Sequence, residues 1–136
     1  MTMLFVDDDP AVCRAMRRLA TACGWESLAC DQFADIGGLV RDHEIDLLVC
    51  DYTMAPTNGL QIIERLRSEG WNRLAVIMTA NPEWVDRSLA LQLNVAEILP
   101  KPVEVDVLQS VVARAAAEIE RRPRFVSTLV DLLFQA

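Results

Sequence analysis

The sequence contains few of the residues from which soft-metal sites and disulfide scaffolds are built. His43 is the only histidine in 136 residues, and the four cysteines, at positions 13, 23, 30 and 50, form no Cys-x-x-Cys pair. This spacing excludes the standard zinc motifs and disfavours a disulfide framework. Because each cysteine lies in an apolar stretch, we interpret them as reduced, buried side chains. Reduced thiols are typical of cytoplasmic proteins, so we expect a cytoplasmic location.

Long hydrophobic runs and clustered positive charge are also missing. No stretch approaches the length of a membrane span, and no basic segment precedes the short apolar run before Asp7. The sequence therefore predicts neither a membrane helix nor a signal peptide. A formal net charge of -7 predicts no direct contact with nucleic acid, because phosphate binding needs clustered Lys and Arg. With 52% hydrophobic residues, the chain is long enough to bury the core of one domain.

What the sequence does contain is an alternation of short apolar runs and amphipathic segments. The apolar runs predict strands at 3–7, 25–30, 45–51, 74–79 and 95–99. The amphipathic segments predict helices from Pro10, over 31–42 and 58–69, from the Asn81-Pro82-Glu83 start signal, and over 103–120. This alternation predicts an α/β fold, a doubly wound five-stranded parallel sheet with helices on both faces. With right-handed crossovers, the expected strand order is 2-1-3-4-5, the flavodoxin-like (βα)5 arrangement.

Polar side chains follow the predicted strands at the points where the strands end. The first strand ends in Asp7 and Asp8, Asp51 ends the third, Thr79 ends the fourth, and Lys101 follows the fifth. In the order 2-1-3-4-5 these ends are neighbours, so the side chains open into one crevice at the carboxyl edge of the sheet. That crevice is where open α/β sheets bind ligands.

The residue types in this crevice point to phosphoryl chemistry. Three close carboxylates repel one another unless one stays protonated or a cation lies among them. An all-oxygen set that leaves room for water and phosphate suits Mg²⁺. Lys101, the only lysine beside twelve arginines, can bind a phosphate oxygen, and Thr79 can donate its hydroxyl to one. Because a carboxylate can act as a nucleophile and form an aspartyl phosphate, Asp51 is the predicted acceptor.

Four segments also carry a resemblance to a known family. They are Val-Asp-Asp-Asp-Pro at 6–10, Asp51 with Met54 and Gly59 downstream, Met-Thr-Ala at 78–80, and Leu-Pro-Lys-Pro at 99–102. In this order and combination the chain resembles the response-regulator receiver domain of two-component signalling, over about residues 3 to 120. The resemblance implies a phosphorylation-dependent switch whose partner is a sensor histidine kinase or a phosphotransfer protein. It also implies a chain that is not an enzyme on external substrates and catalyses only its own phosphorylation and dephosphorylation.

The resemblance assigns a role to each crevice residue. Asp51 would be the phosphoacceptor, Asp8 the main Mg²⁺ ligand, and Asp7 an acid that acts on the metal largely through water. The backbone carbonyl of Thr53 would complete the protein's share of the metal shell, and Thr79 and Lys101 would bind the phosphoryl group. Thr53 also matches one of two variable positions that tune dephosphorylation in this family; the other is Asn81. The peptide bond before Pro102 is expected to be cis.

The chain departs from the family pattern at three places. Ala55 follows Met54 where the family usually has proline, which comes one residue later at Pro56. Ile98 replaces an aromatic residue that normally turns inward when the threonine moves, and Asn94 stands where glycine is usual. These departures leave the site chemistry intact but predict an altered way of reporting phosphorylation to partners.

Two other functions remain open at this point. A hydrolase with an aspartate nucleophile, of the haloacid-dehalogenase type, would carry Asp-x-Asp on its first strand and a cap domain. The Asp on the third strand and the short chain argue against it, and turnover of phosphate esters would separate the two. A binding module that keeps the fold but signals without phosphate is the second alternative, suggested by Ile98 and Ala55.

The chain divides into a receiver domain at 1–120 and a segment at 121–136. The second is predicted to be a C-terminal helical extension or the start of a linker to an output domain. Its apolar residues share one helical face: Phe125, Val126, Leu129, Val130 and Leu133. An apolar stripe of this kind needs a partner. The hypothesis is that 125–134 mediates self-association into a homodimer, with docking on its own domain as the alternative.

Overall fold

The computed structural model describes residues 1–121, and within them five strands form one parallel sheet. Seven strands are described in all: β1 Thr2–Val6, β2 Glu26–Cys30, β3 Leu47–Asp51, β4 Thr53–Met54, β5 Thr57–Asn58, β6 Leu74–Thr79 and β7 Val95–Pro100. The sheet has the order β2-β1-β3-β6-β7, and β4 and β5 form a separate antiparallel pair. Since β6 and β7 are the predicted fourth and fifth strands, the predicted fold class and the order 2-1-3-4-5 are confirmed.

Five α-helices cover the two faces of the sheet. They are α1 Pro10–Ala22, α2 Phe33–Asp42, α3 Gly59–Ser68, α4 Arg87–Gln92 and α5 Val105–Arg121. Helices α1 and α5 pack on one face, where Met16 and Ala20 share a core cluster with Leu108 and Val112. Helices α2, α3 and α4 pack on the other face. Within residues 1–121, no helix is both long and apolar enough to cross a membrane.

The predicted start of α1 is confirmed in detail. Asp9 is extended, its carboxylate accepts a hydrogen bond of 2.9 Å from the Ala11 backbone N–H, and Pro10 is the first helical residue. This arrangement satisfies one of the N–H groups that a helix start leaves without an intrahelical partner. Gly24 follows the helix with a φ of 77°, a left-handed conformation that glycine adopts without a Cβ penalty.

The predicted helix start at Asn81 is wrong. Pro82–Trp84 forms only a single 3-10 turn, and the Asn81 side chain makes no capping hydrogen bond. Helix α4 begins five residues later, where the Asp86 carboxylate accepts from the Leu89 backbone N–H at 3.0 Å. Between the two lies Val85, which is extended and buried in the core. Burial of Val85 therefore overrides the local helix signal, as tertiary packing commonly does.

Some of the other loop features were predicted from the sequence, and others were not. The Lys101–Pro102 bond is cis, as predicted, whereas the second cis bond, Ala55–Pro56, was not predicted. The segment expected to be a plain loop through Pro56 contains the short β4–β5 pair. Asn94 has a φ of 57°, so it takes the left-handed conformation for which glycine is usual at this position. Asparagine tolerates this region better than most residues, so the substitution preserves the turn.

The cysteines behave as interpreted from the sequence. All four are free, Cys13, Cys30 and Cys50 are buried, and Cys23 is half-buried. Burial is the main cause of the raised pKa of each of the three buried thiols. They are therefore small core side chains that stay protonated.

The Arg67 side chain binds four backbone carbonyls, a set of contacts that the sequence does not predict. Its guanidinium donates to the backbone carbonyls of Leu93 at 2.9 Å and Arg73 at 2.6 Å, and also to those of Trp71 and Asn94. These bonds tie the end of α3 to the turn that leads into β7. Arginine suits this role because its fork of N–H groups can serve several acceptors at once.

Candidate functional site

The predicted site residues meet at the carboxyl edge of the sheet. Asp7 follows β1, Asp51 ends β3, Thr79 ends β6, and Lys101 lies one residue beyond β7. The Lys101 ammonium is 2.7 Å from Asp7 Oδ2 and 3.3 Å from Asp51 Oδ1. The side chains come from segments far apart in the chain, and the strand order brings them together.

Three carboxylates form the acidic part of the site. Asp7, Asp8 and Asp51 each place one oxygen within 4.8 Å of the others. They differ in exposure, since Asp7 is 1% exposed and Asp51 6%, whereas Asp8 faces solvent. Both carboxylate oxygens of Asp7 have partners, because Oδ1 accepts a 2.9 Å hydrogen bond from the Asp9 backbone N–H while Oδ2 contacts Lys101. Asp7 is therefore a buried, hydrogen-bonded carboxylate, and the neighbouring Asp8 is a solvent-exposed one.

The charges in this cluster are only partly balanced. Burial raises the pKa of Asp51, the Lys101 charge acts in the opposite direction, and the nearby Asp7 carboxylate raises that pKa further. Burial disfavours the charged form of Lys101, but its hydrogen bond to Asp7 and the charges of Asp51 and Asp7 outweigh this and raise its pKa. The Lys101 ammonium contacts Asp7 and Asp51, and the Asp8 carboxylate adds a third negative charge to the cluster. A hard divalent cation bound by carboxylate oxygens would relieve the remaining repulsion, so the donor set fits Mg²⁺.

Thr79 is positioned to donate its hydroxyl proton. The side chain is buried, and its Oγ1 accepts a hydrogen bond of 3.0 Å from the Asn81 backbone N–H. Because a hydroxyl that accepts one bond still carries a proton, Thr79 can donate to a group in the crevice. Its backbone carbonyl accepts from the Lys101 N–H at 2.8 Å, which ties the end of β6 to the residue after β7.

Thr53 lies beside the cluster but with its side chain exposed. Its backbone N–H donates to Asp51 Oδ1 at 3.4 Å, a long and weak hydrogen bond. The role predicted for its carbonyl as a metal ligand stays a prediction. Behind the site, the Cys13 thiol donates to the Asp7 carbonyl at 3.5 Å, a contact for which the sequence gives no signal.

Gly59 allows the backbone at the start of α3 to lie close to the backbone that carries Asp51. A Cβ at this position would lie 2.7 Å from Ile77 Cδ1 and 2.8 Å from the carbonyl oxygen of Asp51. The Gly59 N–H donates to the Tyr52 carbonyl at 2.8 Å. Glycine therefore lets the start of α3 pack directly on the backbone that carries Asp51. The sequence shows Gly59 as part of a family motif, but only the structure shows this reason for it.

We expect Gly59→Ala to lower the free energy of unfolding by about 3 kcal/mol, because the added methyl must displace backbone in a packed region. Gly38→Ala is the matched control. A Cβ there makes only ordinary contact with Arg41 and replaces a glycine within α2, so stability should rise by about 0.5 to 1 kcal/mol. Urea unfolding followed by circular dichroism measures both. Equal stability of Gly59→Ala and the unmodified chain would contradict this account of the close approach.

Comparison with known proteins identifies the family to which this site belongs. The family model for the response regulator receiver domain matches residues 3–113. The chain belongs to this family. The receiver domain is 33% identical over 122 residues to the response regulator MprA of Mycobacterium leprae (strain TN), covering 89% of this chain and 52% of that protein. It is 25% identical over 122 residues to the DNA-binding transcriptional regulator NtrC of Rhizobium meliloti (strain 1021), covering 90% of this chain and 25% of that protein.

Solved structures show the same fold. The receiver domain superposes on a CheY-like receiver domain from Methylobacillus flagellatus with a TM-score of 0.77 at 18% identity, covering 85% of this chain and 98% of that one. It superposes on TrrA from Thermotoga maritima, a response regulator in complex with Mg²⁺ and BeF, with a TM-score of 0.75 at 18% identity, covering 84% and 97%. The chain spans about half or less of the length of the two curated relatives.

The remaining predictions fall partly outside the described residues. Ile98, at the position of the usual inward-turning aromatic residue, is half-buried and packs against the core cluster on the α2–α3–α4 face. The family match ends at residue 113, within α5, so the predicted boundary at 120 stays a prediction. The extension at 121–136 lies beyond the described part of the chain except for Arg121, and so does the predicted dimerisation segment 125–134.

Proposed function

We propose that this receiver domain is a phosphorylation-dependent switch that accepts a phosphoryl group on Asp51. The donor is a sensor histidine kinase or a phosphotransfer protein. One observation carries the proposal: the Asp51 carboxylate ends the buried strand β3, lies 3.3 Å from the Lys101 ammonium, and shares a cluster with Asp7 and Asp8. This combination offers a nucleophile together with charges of both signs, which is what phosphoryl transfer requires of a protein.

Mg²⁺ is the cofactor in this proposal. The carboxylates of Asp8 and Asp51 would hold it directly, Asp7 would act on it largely through water, and the Thr53 carbonyl would complete the protein's share of the metal shell. Bound there, the ion would supply positive charge to the carboxylates and the phosphoryl oxygens. The hard oxygen donors and the exposed position of Asp8 support this choice, because Mg²⁺ keeps several waters and needs open coordination positions. The complex of TrrA with Mg²⁺ and BeF is consistent with it.

Asp51, Lys101 and Thr79 have separate roles in the phosphoryl transfer. An Asp51 carboxylate oxygen forms a bond to phosphorus while the phosphorus–nitrogen bond of the donor phosphohistidine breaks. Lys101 neutralises a phosphoryl oxygen, and Thr79 donates its hydroxyl to another. Because Lys101 contacts Asp51 directly before transfer, its ammonium must exchange that contact for the phosphoryl group. Movement of Lys101 and Thr79 therefore couples the chemistry to the ends of β6 and β7.

The proposal also covers the biological setting. The chain acts on no external substrate and catalyses only its own phosphorylation and dephosphorylation. Its partner is the phosphodonor protein, and it makes no direct nucleic-acid contact. The free cysteines of the chain favour the cytoplasm, where thiols stay reduced.

The direct test incubates the full chain with acetyl phosphate and Mg²⁺ and maps the modified residue. Borohydride converts an aspartyl phosphate to homoserine, which peptide mass spectrometry can locate. We expect conversion at Asp51 alone, and little when a chelator replaces Mg²⁺. Conversion mainly at another carboxylate, or an equal yield with chelator, would contradict the proposal. Continuous hydrolysis of p-nitrophenyl phosphate would instead support the hydrolase alternative.

A further inference from the structure

Helix α1 carries more apolar residues than those that are buried in the domain core. Cys13, Met16 and Ala20 point into the core. A second stripe lies beside them, at Val12, Ala15, Leu19 and Ala22. Its spacing of three and four residues is that of a helix that packs along another helix. Ala15 and Ala22 are exposed in the described structure, and Val12 and Leu19 are half-buried.

This second stripe lines an open groove of about 720 Å³. The floor is Met78, and the far end is formed by Pro102, Val103 and Val105, where the chain enters α5. The described residues that line the groove are mostly apolar, and Arg18 and Lys101 are the charged ones among them. An apolar groove of this size on a small domain usually marks a binding surface.

We propose that the groove is the docking site for this chain's own residues 125–134. The sequence after α5 has the pattern of a matching helix, with Val126, Leu129 and Leu133 also spaced by three and four residues. Pro123 separates this segment from α5, because proline interrupts the helical hydrogen bonds and disfavours helix at the residue before it. The sequence therefore predicts a break in the helix between Arg121 and Phe125.

The position of α5 makes this docking geometrically possible. Helices α1 and α5 lie on the same face of the sheet and, as connections of parallel strands, both run away from the carboxyl edge. Near the end of α5, Ile119 packs on the core cluster of this face, as do Cys23 and Trp25 just after α1. Residues 122–124 can span at most about 10 Å. A ten-residue helix is about 15 Å long, enough to return along the stripe from Ala22 toward Val12.

Own-chain docking differs from self-association in its dependence on concentration. The segment is joined to α5 by a few residues, so its effective concentration at the groove is on the order of millimolar. A second copy would have to exceed this value to compete. The groove therefore favours the tethered segment over the homodimer at ordinary protein concentrations.

The test uses the full 136-residue chain and amide NMR spectra, and it requires no phosphorylation. In the first arm, Leu129→Asp combined with Leu133→Asp removes the apolar stripe, and Ser127→Asp combined with Thr128→Asp is the matched control off the stripe. We expect the first pair to shift amides of residues 12–22 and 101–105 and the control to leave them in place. Unchanged α1 amides, or equal shifts with both pairs, would overturn the proposal.

In the second arm, Ala15→Gln combined with Ala22→Gln fills the groove from exposed positions of α1. Ala113→Gln, on an exposed position of α5, is the control. We expect the groove variant, but not the control, to shift the amides of residues 125–134. Shifts that stay constant on dilution, with a single-chain mass by light scattering, support own-chain docking. Shifts that grow with concentration together with a doubled mass would overturn it in favour of a second copy.

Discussion

The Asp51→Asn chain is expected to take up no phosphoryl group from acetyl phosphate in the presence of Mg²⁺. The amide has no anionic oxygen with which to attack phosphorus, and it removes one of the three clustered carboxylates. Intact-mass spectrometry measures the result directly. Asp42→Asn, an exposed aspartate at the end of α2, is the matched control and should be labelled like the unmodified chain.

Folding of the Asp51→Asn chain is not expected to suffer. Burial and the nearby Asp7 raise the pKa of Asp51 by more than the Lys101 charge lowers it, so the charged carboxylate is costly at this position. A neutral amide of nearly the same shape relieves both effects. Denaturant unfolding should therefore show a stability at least equal to that of the unmodified chain. A labelled Asp51→Asn chain with native stability would show that Asp51 is not the acceptor.

The Lys101→Arg chain is expected to lose most of the structural response to beryllofluoride, although its charge is unchanged. The Lys101 ammonium is a compact group that contacts Asp7 at 2.7 Å and Asp51 at 3.3 Å, and its side chain is only 24% exposed. A guanidinium is wider and planar, and it cannot take the same place between two carboxylates and then move to a phosphoryl oxygen. The extent of amide NMR shifts on adding beryllofluoride and Mg²⁺ measures the response.

Arg114→Lys is the control for the exchange between these two residue types. Arg114 pairs with Glu97 on the surface at 3.0 Å, with both side chains substantially exposed, so this exchange should have little effect. The spectra before addition of beryllofluoride report whether each variant is folded. Shifts in the Lys101→Arg chain as large and as widespread as in the unmodified chain would show that the lysine is not needed for switching.

The sequence predicted the fold and the candidate site for the same reason. Apolar strands alternate with helices, and the order of parallel strands then decides which strand ends are neighbours. Asp7, Asp51, Thr79 and Lys101 could therefore be assigned to one crevice before any coordinate was known. The start of α1 was equally readable, because Asp9 followed by Pro10 is a local signal that acts through bonds to adjacent residues.

The predictions that failed depended on contacts beyond the local segment. Asn81-Pro82 carries a valid start signal, but burial of Val85 ends the turn there and moves the helix start to Arg87. The β4–β5 pair around Pro56 and the four carbonyls bound by Arg67 likewise have no periodic pattern in the sequence. Local propensities are worth tenths of a kcal/mol per residue, so a buried side chain can override them.

The sequence by itself determined that three acids, one lysine and one threonine would share an edge of the sheet, because strand ends are set by local patterns. Only the tertiary structure decided how the acids differ. Asp7 continues the β1 ladder through its N–H bond to the Cys30 carbonyl and is buried against Lys101, whereas Asp8 lies outside the ladder and faces solvent. Neighbouring residues at a strand end point to opposite sides, so one residue of difference separates a buried ion pair from an exposed carboxylate.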